Sequence, residues 1–225
     1  MPYNSKLVII GDGAFAEVAA EYFREDSDYE VVGFAVERDF LQRSELLGLP
    51  VIAMEEMASI FPPNEHDAFA AITYNELNRL RTRLAAKAKS MGYGLASFIS
   101  SHARIARSAT LGEHCFVFED NVIQPYVAIG NNVILWSGNH IGHHGSIADN
   151  CFVSSHVVVS GYCSIGQNCF FGVNSAVSNN IDIAADCWIG PGVVIAADTA
   201  KGQVYRTLKA EPAKVDAYRL FRVGN

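Results

Sequence analysis

Four of the seven histidines in this 225-residue chain fall in one short stretch, as His140, His143, His144 and His156. A neutral imidazole can act as a general base near pH 7, and it is also a common ligand for zinc. His143 and His144 are adjacent and are followed by a glycine. The stretch therefore predicts proton-transfer chemistry or a metal site.

A second candidate site lies near the start of the chain, where Gly11-Asp12-Gly13 follows the apolar run Leu7–Ile10. The motif Gly-x-Gly-x-x-Ala between a strand and a helix places backbone N–H groups at a helix N-terminus, which favours a phosphate. A tight turn that only lets the helix pack closely explains the glycines equally. A full dinucleotide fold needs more strands than about 100 residues allow, so one nucleotide or a nucleotide sugar is favoured over NAD.

The histidines belong to a long repeat. Stepping by six residues from Ile105, every position up to Ile195 is aliphatic or phenylalanine. An α-helix cannot use this period, whereas short strands joined by tight turns can. The spacing predicts a parallel β-helix over residues 100–199, with three hexapeptides in each coil. His143, His144 and His156 then lie at corners, where side chains point outward.

The repeat also explains the odd number of cysteines. All five fall two residues before an aliphatic position, at Cys115, Cys151, Cys163, Cys169 and Cys187. They lack the close Cys-x-x-Cys spacing of a zinc site, so they are predicted to be buried core residues.

Residues 1–99 instead alternate strands with helices. Candidate strands are Leu7–Ile10, Tyr29–Val36, Val51–Ala53 and Ala68–Thr73, and a helical pattern runs from Leu77 to Met91. This predicts a small Rossmann-like α/β domain with a parallel sheet. The apolar residues of 200–225 predict a tail that packs over the last coil as a cap.

Composition excludes several classes of protein. The chain has 24 acidic and 17 basic residues, and it contains no Lys/Arg run, so no nucleic-acid partner is expected. Its apolar runs are too short to span a membrane, and the start does not read as a signal peptide. A cytoplasmic protein with reduced cysteines is expected.

The two halves together resemble the sugar O-acyltransferase family typified by sialic acid O-acetyltransferases, which includes nucleotide-sugar N-acetyltransferases of the bacillosamine and perosamine type. The residues that carry the resemblance are the opening Val8–Gly13, the unbroken hexapeptides and Glu211-Pro212-Ala213-Lys214. The resemblance implies a left-handed β-helix and a homotrimer with active sites between subunits. It also implies acetyl transfer from acetyl-CoA to an amino group of a nucleotide-linked amino-deoxy sugar in bacterial surface-glycan biosynthesis, with no metal.

The resemblance assigns the catalytic base to His143. His144 stands where the family carries the carboxylate that orients the imidazole; His144 takes that part, or His144 is itself the base, or Asp149 substitutes. Gly161, within Ser160-Gly161, matches the backbone oxyanion donor. The resemblance suggests that His156, Ser160, Gly161 and Pro212 contact CoA.

The resemblance also assigns the first domain to the nucleotide sugar. Gly11, Asp12 and Gly13 match the family's glycine turn, and Glu37 stands near its acidic position after the second strand. Asn75 and Arg79 match the family's Asn-x-x-x-Arg segment, although a solvated helix face explains Arg79 and Arg81 equally.

Three alternatives remain open at the level of sequence. The chain could be an O-acetyltransferase that acts on a sugar hydroxyl. It could be a β-helix zinc enzyme of the γ-carbonic anhydrase kind, with His140, His144 and His156 as ligands. It could also be a non-catalytic protein in which the β-helix is a scaffold and the α/β domain a sensor.

Overall fold

The computed structural model describes residues 5–208 and 210–223, and it begins with a small α/β unit. Nine helices and strands form this unit: β1 (Ser5–Ile10), α1 (Ala14–Glu25), β2 (Tyr29–Val36), β3 (Glu45–Leu46), β4 (Leu49–Ala53), α2 (Met57–Ile60), β5 (His66–Ala70), α3 (Arg79–Ser90) and β6 (Gly94–Leu95). They make one sheet of order β3-β4-β2-β1-β5-β6, in which only β3 is antiparallel. The predicted Rossmann-like domain with a parallel sheet is confirmed.

Helix α3 starts two residues later than the apolar spacing predicts, because the backbone before it is left-handed. Glu76, Leu77 and Asn78 have φ values of 52°, 52° and 67°. Such a backbone cannot continue into the right-handed helix, which therefore begins at Arg79. None of the helices among the described residues has the length and apolar character needed to cross a membrane.

Residues 98–205 form a left-handed parallel β-helix of two-residue strands, and one short helix, α4 (Ala217–Leu220), lies in the tail after it. The strands are β7 (Phe98–Ile99), β8 (Arg104–Ile105), β9 (Thr110–Leu111), β10 (Phe116–Val117), β11 (Val122–Ile123), β12 (Ala128–Ile129), β13 (Ile134–Leu135), β14 (His140–Ile141), β15 (Ser146–Ile147), β16 (Phe152–Val153), β17 (Val158–Val159), β18 (Ser164–Ile165), β19 (Phe170–Phe171), β20 (Ala176–Val177), β21 (Asp182–Ile183), β22 (Trp188–Ile189), β23 (Val194–Ile195) and β24 (Val204–Tyr205). They form three parallel sheets, and up to β23 each strand pairs with the strand 18 residues away. The predicted β-helix is confirmed.

From β8 to β23 the second residue of each strand is the aliphatic or Phe position of the repeat, and it packs inside the β-helix. The five cysteines lie in the same core, buried and free of disulfides. Their predicted role as core residues is confirmed.

The first residue of each strand faces outward and gives each sheet its own surface. We call the sheet β7-β10-β13-β16-β19-β22-β24 the aromatic face, because Phe98, Phe116, Phe152, Phe170 and Trp188 project from it. The sheet β8-β11-β14-β17-β20-β23 is the aliphatic face, and β9-β12-β15-β18-β21 is the small-residue face.

Three corners join these faces, and each turns on a residue with positive φ. The helix corner contains His114, Asn132, Asn150, Asn168 and Asp186; the His156 corner contains Asp120, Gly138, His156, Asn174 and Gly192; the His144 corner contains Tyr126, His144, Tyr162 and Asn180. Asn, Asp and Gly adopt this conformation at low cost, which explains why they hold most of the corner positions.

The α/β unit packs on the aromatic face. Helix α1 supplies Phe15, Tyr22 and Phe23, which belong to one buried cluster with Phe98 and Phe116. The ring centroids of Phe23 and Phe98 lie 5.5 Å apart, and those of Phe15 and Phe116 lie 5.6 Å apart. The two parts of the chain therefore share a continuous apolar core.

Arg81 of α3 connects the unit to the helix corner. Its buried guanidinium donates to the backbone oxygens of Ala70 at 3.1 Å, Asn132 at 2.5 Å and His114 at 2.9 Å. Burial lowers the pKa of Arg81 to about 9. Arg81 is thus a structural residue and lies neither on a solvated helix face nor in a ligand site, which corrects both interpretations of its sequence position.

The predicted cap is only partly present. Strand β24 extends the aromatic face beyond β22, and Thr207 Oγ1 donates to the oxygen of Pro191 at 3.3 Å. Leu208, Tyr218, Leu220 and Phe221 are exposed, so the prediction that they pack over the last coil is wrong. Their apolar character marked them for burial, but nothing in the described part of this single chain covers them.

The burial of His114 leads to a prediction of how the stability of this protein depends on pH. Burial and then the Arg81 charge hold the pKa of His114 well below its usual range. Below about pH 6.5 the unfolded chain takes up a proton that the folded protein does not bind, so stability falls as the pH decreases. We expect His114→Gln to remove about 1.4 kcal/mol per pH unit from the slope of unfolding free energy against pH below 6.5.

Urea unfolding measured from pH 7 to pH 5 tests this expectation, with the exposed His102→Gln as the matched control. Equal slopes for His114→Gln and the unchanged protein would contradict it.

Candidate active site

His143 and His144 are exposed side by side at the His144 corner. Their Nδ1 atoms lie 3.1 Å apart, which is hydrogen-bond distance. The His143 backbone N–H donates to Gln124 Oε1 at 2.9 Å, and this bond fixes the chain just before the turn. An exposed pair of imidazoles on a rigid corner can accept a proton from a bound molecule.

Gly161 lies one coil beyond His143, directly against its ring. A Cβ atom built at Gly161 would come 3.0 Å from Cε1 and 3.1 Å from Nε2 of His143. Glycine at this position therefore leaves room for the imidazole. The Gly161 N–H donates to Oδ1 of the exposed Asn179 at 3.0 Å, so it is free for another acceptor only when Asn179 turns away.

The other predicted residues of this site lie elsewhere. His140 is half-buried on the aliphatic face, and His156 belongs to a different corner, where its ring lies against Gly138. The aliphatic face separates the His144 and His156 corners, so within one chain His156 lies apart from His143, and the contact of His156 with CoA stays a prediction. The sequence suggested one cluster because these histidines are close together along the chain. The coil, however, places residues 12 apart on different corners.

Asp149 is also excluded as the partner of His143. Its Oδ1 accepts the Asn131 N–H at 2.7 Å, next to the helix corner. Of the three partners that the sequence left open, only His144 contacts His143.

The residues predicted to contact CoA are dispersed. Ser160 is half-buried beside Gly161, whereas Pro212 is exposed in the tail. Their contact with CoA stays a prediction. Over the described ranges, no three His, Cys, Asp or Glu side chains are grouped as a metal site would require.

Sequence reasoning missed two aromatic residues at the His144 corner. The His144 ring stacks on Tyr162, with centroids 5.1 Å apart and planes 16° apart, and its centroid lies 4.7 Å from that of Tyr126. Tyr162 also meets His143 edge-on at 5.1 Å. The available signal was tyrosine at a corner position where the repeat otherwise favours Asn, Asp or Gly.

A cavity of about 540 Å³ in the α/β unit brings together all five predicted substrate-binding residues, Gly11, Asp12, Gly13, Glu37 and Asn75. It lies at the carboxyl ends of β1, β2 and β5 and at the N-terminus of α1. Gly13 is the N-cap of α1, and no side chain caps the helix there. The free N–H groups of the first turn and the helix dipole suit an anionic group.

An arginine that the sequence analysis did not identify is hydrogen-bonded to Glu37. Arg83 donates to both oxygens of Glu37 at 2.7 and 2.8 Å, and Lys87 lies 3.7 Å from the same carboxylate. The hydrogen bonds from Arg83 lower the pKa of Glu37. Arg83 lines the cavity, whereas the predicted Arg79 pairs with Asp186 at 2.7 Å. The helical period alone could not show which arginine of α3 faces the cavity.

The two glycines of the turn are expected to respond differently to substitution. Gly11 has φ of +118°, and a Cβ there would lie 3.0 Å from the Ala71 oxygen, whereas a Cβ at Gly13 has no atom within 4 Å. We expect Gly11→Ala to lower the free energy of unfolding by about 1–3 kcal/mol and Gly13→Ala to leave it nearly unchanged. Denaturant titration of both variants measures this, and equal losses would contradict the assignment of Gly11 as the strained position.

Comparison with known proteins agrees with this architecture. Residues 6–88 match the family described as the PglD N-terminal domain. No curated protein matches the chain. The acetyltransferase domain of PglB from Neisseria gonorrhoeae is a similar solved structure, with 24% identity and a TM-score of 0.79 over 89% of this chain and 96% of that one.

Two solved structures of the perosamine N-acetyltransferase PerB from Caulobacter crescentus, both in complex with CoA and GDP-perosamine, are also similar. A mutant form has 26% identity and a TM-score of 0.78, and a second structure has 27% identity and a TM-score of 0.76. Each alignment covers 89% of this chain and 93% of the other. Residues 6–88 therefore match the PglD N-terminal domain, and the chain is an acyltransferase that shares its α/β unit and β-helix with these solved acetyltransferases.

Proposed function

We propose that this protein transfers the acetyl group of acetyl-CoA to an amino group of a nucleotide-linked amino-deoxy sugar in bacterial surface-glycan biosynthesis. The observation that carries the proposal is the exposed His143 imidazole against Gly161. The cavity at the N-terminus of α1 and the likeness to proteins bound to CoA and GDP-perosamine support it.

The chemistry needs a base at the amine. As the sugar nitrogen attacks the thioester carbonyl, the C–N bond forms and His143 Nε2 takes a proton from nitrogen. When the tetrahedral intermediate collapses, the C–S bond breaks and the imidazolium returns its proton to the sulfur. The products are the N-acetylated sugar and CoA thiol, and no other reactant is required.

Gly161 is the proposed contact for the thioester carbonyl. Because Gly161 has no side chain, the His143 ring packs directly on it, which brings Nε2 close to the Gly161 backbone. Rotation of the exposed Asn179 side chain frees the Gly161 N–H to donate to the developing oxyanion.

We propose that the active unit is a homotrimer. His156, Ser160 and Pro212 are proposed to contact CoA, and His156 lies on a different corner from His143. A second subunit can bring its His156 corner to the His144 corner of the first, which one chain cannot do alone. The exposed Val158 and Val194 on the aliphatic face between these corners offer apolar surface for that contact.

The nucleotide diphosphate is proposed to bind the cavity in the α/β unit. Its phosphates meet the N-terminus of α1 at Gly13, and Glu37 and Asn75 accept or donate hydrogen bonds to the nucleoside. Arg83 keeps Glu37 ionised and fixed for this purpose.

Replacement of His143 tests the base. We expect His143→Asn to lower kcat at least about 100-fold, because the amine loses its proton acceptor. Thiol release from acetyl-CoA is measured with a panel of CDP-, UDP-, GDP- and dTDP-linked amino sugars. His102→Asn is the control, and light scattering establishes whether both variants keep the oligomeric state of the unchanged protein.

Turnover by His143→Asn at the unchanged rate would remove His143 as the base. If no member of the panel yields an acetamide product while a sugar hydroxyl is acetylated, the N-acetyltransferase assignment is wrong.

Nucleotide binding can be tested without catalysis. We expect Gly13→Ala to weaken binding of the accepted nucleotide sugar by about tenfold, because the added methyl group stands in open space at the cavity wall and obstructs the close approach of the diphosphate to the backbone. Isothermal titration without acetyl-CoA measures the affinity. An unchanged affinity would contradict binding of the diphosphate at α1.

A further inference from the structure

We propose that His144 is a positioning residue, held between Tyr126 and Tyr162, that accepts a hydrogen bond from Nδ1 of His143 and so keeps the hydrogen on that nitrogen. The partner of the proposed base is then an imidazole. This inference rests on the proposed function of His143. It gives Tyr126 and Tyr162 a role in holding His144. It also means that an imidazole takes the place of the carboxylate that the resemblance expects at position 144.

The geometry of the pair couples the tautomers of the two imidazoles. Across the 3.1 Å between the two Nδ1 atoms, one nitrogen donates and the other accepts. If His143 Nδ1 donates, its Nε2 has a free lone pair and can take the proton of the amine. The reverse arrangement protonates Nε2 and disables the base. His144 must therefore present an unprotonated Nδ1, with its hydrogen on Nε2.

The two tyrosines restrict the ring of His144. Tyr126 and Tyr162 occupy the same corner one coil before and one coil after it, and each packs against the imidazole. Tyr162 stacks on the imidazole and Tyr126 packs against it at a tilt of 35°, and these contacts limit rotation of the ring plane, which keeps Nδ1 directed at His143. Tyr162 meets both imidazoles, so it fixes their relative orientation.

The backbone shows that tyrosine is unfavourable at these corners. Tyr126 and Tyr162 have φ values of 62° and 60°, in the left-handed region that is unfavourable for bulky residues. Nine of the fourteen corners between His114 and Gly192 carry Asn, Asp or Gly at the same φ. Packing against neighbouring coils does not require tyrosine there, whereas holding His144 does.

The groups packed against the His144 imidazole are aromatic rings. The titratable groups packed against His144 are the imidazole of His143 and the phenols of Tyr126 and Tyr162. In the described ranges no carboxylate oxygen lies within 4.0 Å of a nitrogen of His143 or His144. A carboxylate at position 144 would favour the imidazolium form of His143.

Two substitutions at position 144 test the inference, and both suit a left-handed corner. We expect His144→Gly to lower kcat by about 10- to 100-fold with little change in KM for the nucleotide sugar, because His143 loses its orienting partner. We expect His144→Asp to retain turnover and to move the acid limb of the kcat/KM pH profile about 1 unit to higher pH.

The tyrosine is tested by a matched pair. Tyr162→Phe keeps the stacking ring and is expected to keep kcat, whereas Tyr162→Asn suits the corner but removes the ring and is expected to lower kcat about tenfold. Thermal unfolding of all four variants separates these effects from loss of the fold.

The outcomes separate the inference from the function on which it rests. If the unchanged protein turns over and His143→Asn does not, but His144→Gly keeps the unchanged kcat and pH profile, the positioning role is overturned and the proposed function stands. An unshifted acid limb in His144→Asp, or equal kcat for the two Tyr162 variants, also overturns it. Failure of the unchanged protein to acetylate any sugar overturns both.

Discussion

The left-handed backbone at every sixth residue is the constraint on which the rest of the structure depends. From His114 to Gly192 each corner has a positive φ, and three such corners close one coil in 18 residues. Side chains 18 positions apart therefore stack in columns along the axis. This register builds the aromatic face, the buried cysteines and the column of Tyr126, His144 and Tyr162 from one repeat.

The same register allows α3 to attach the α/β unit along the helix corner. Lys89 pairs with Glu113 in the first turns of the β-helix, and Arg79 pairs with Asp186 four coils later. Four coil spacings of about 4.8 Å give about 19 Å, close to the about 18 Å length of a 12-residue helix. The buried Arg81 between these ends satisfies three backbone oxygens, so the two parts are fixed without a flexible linker.

Because α3 attaches along one corner of the β-helix, that corner is covered and the other two remain exposed. The helix corner is covered by α3, and its His114 is buried in the network of Arg81. The other two corners expose His144 and His156, with the aliphatic face between them. The α/β unit packs on the aromatic face, so in the described part of the chain it leaves the aliphatic and small-residue faces uncovered.

The sequence by itself determined the β-helix, because a strict period of six permits few other structures, and it determined the parallel sheet and the glycine turn. It identified Gly11, Gly13, Glu37 and Asn75, which the structure gathers in one cavity. Only the tertiary structure decided that His156 lies apart from His143 and that tyrosines flank His144. It also decided that Arg83 faces the cavity while Arg81 is buried. These outcomes depend on which residues stack across coils and on where α3 packs, and neither is a property of local sequence.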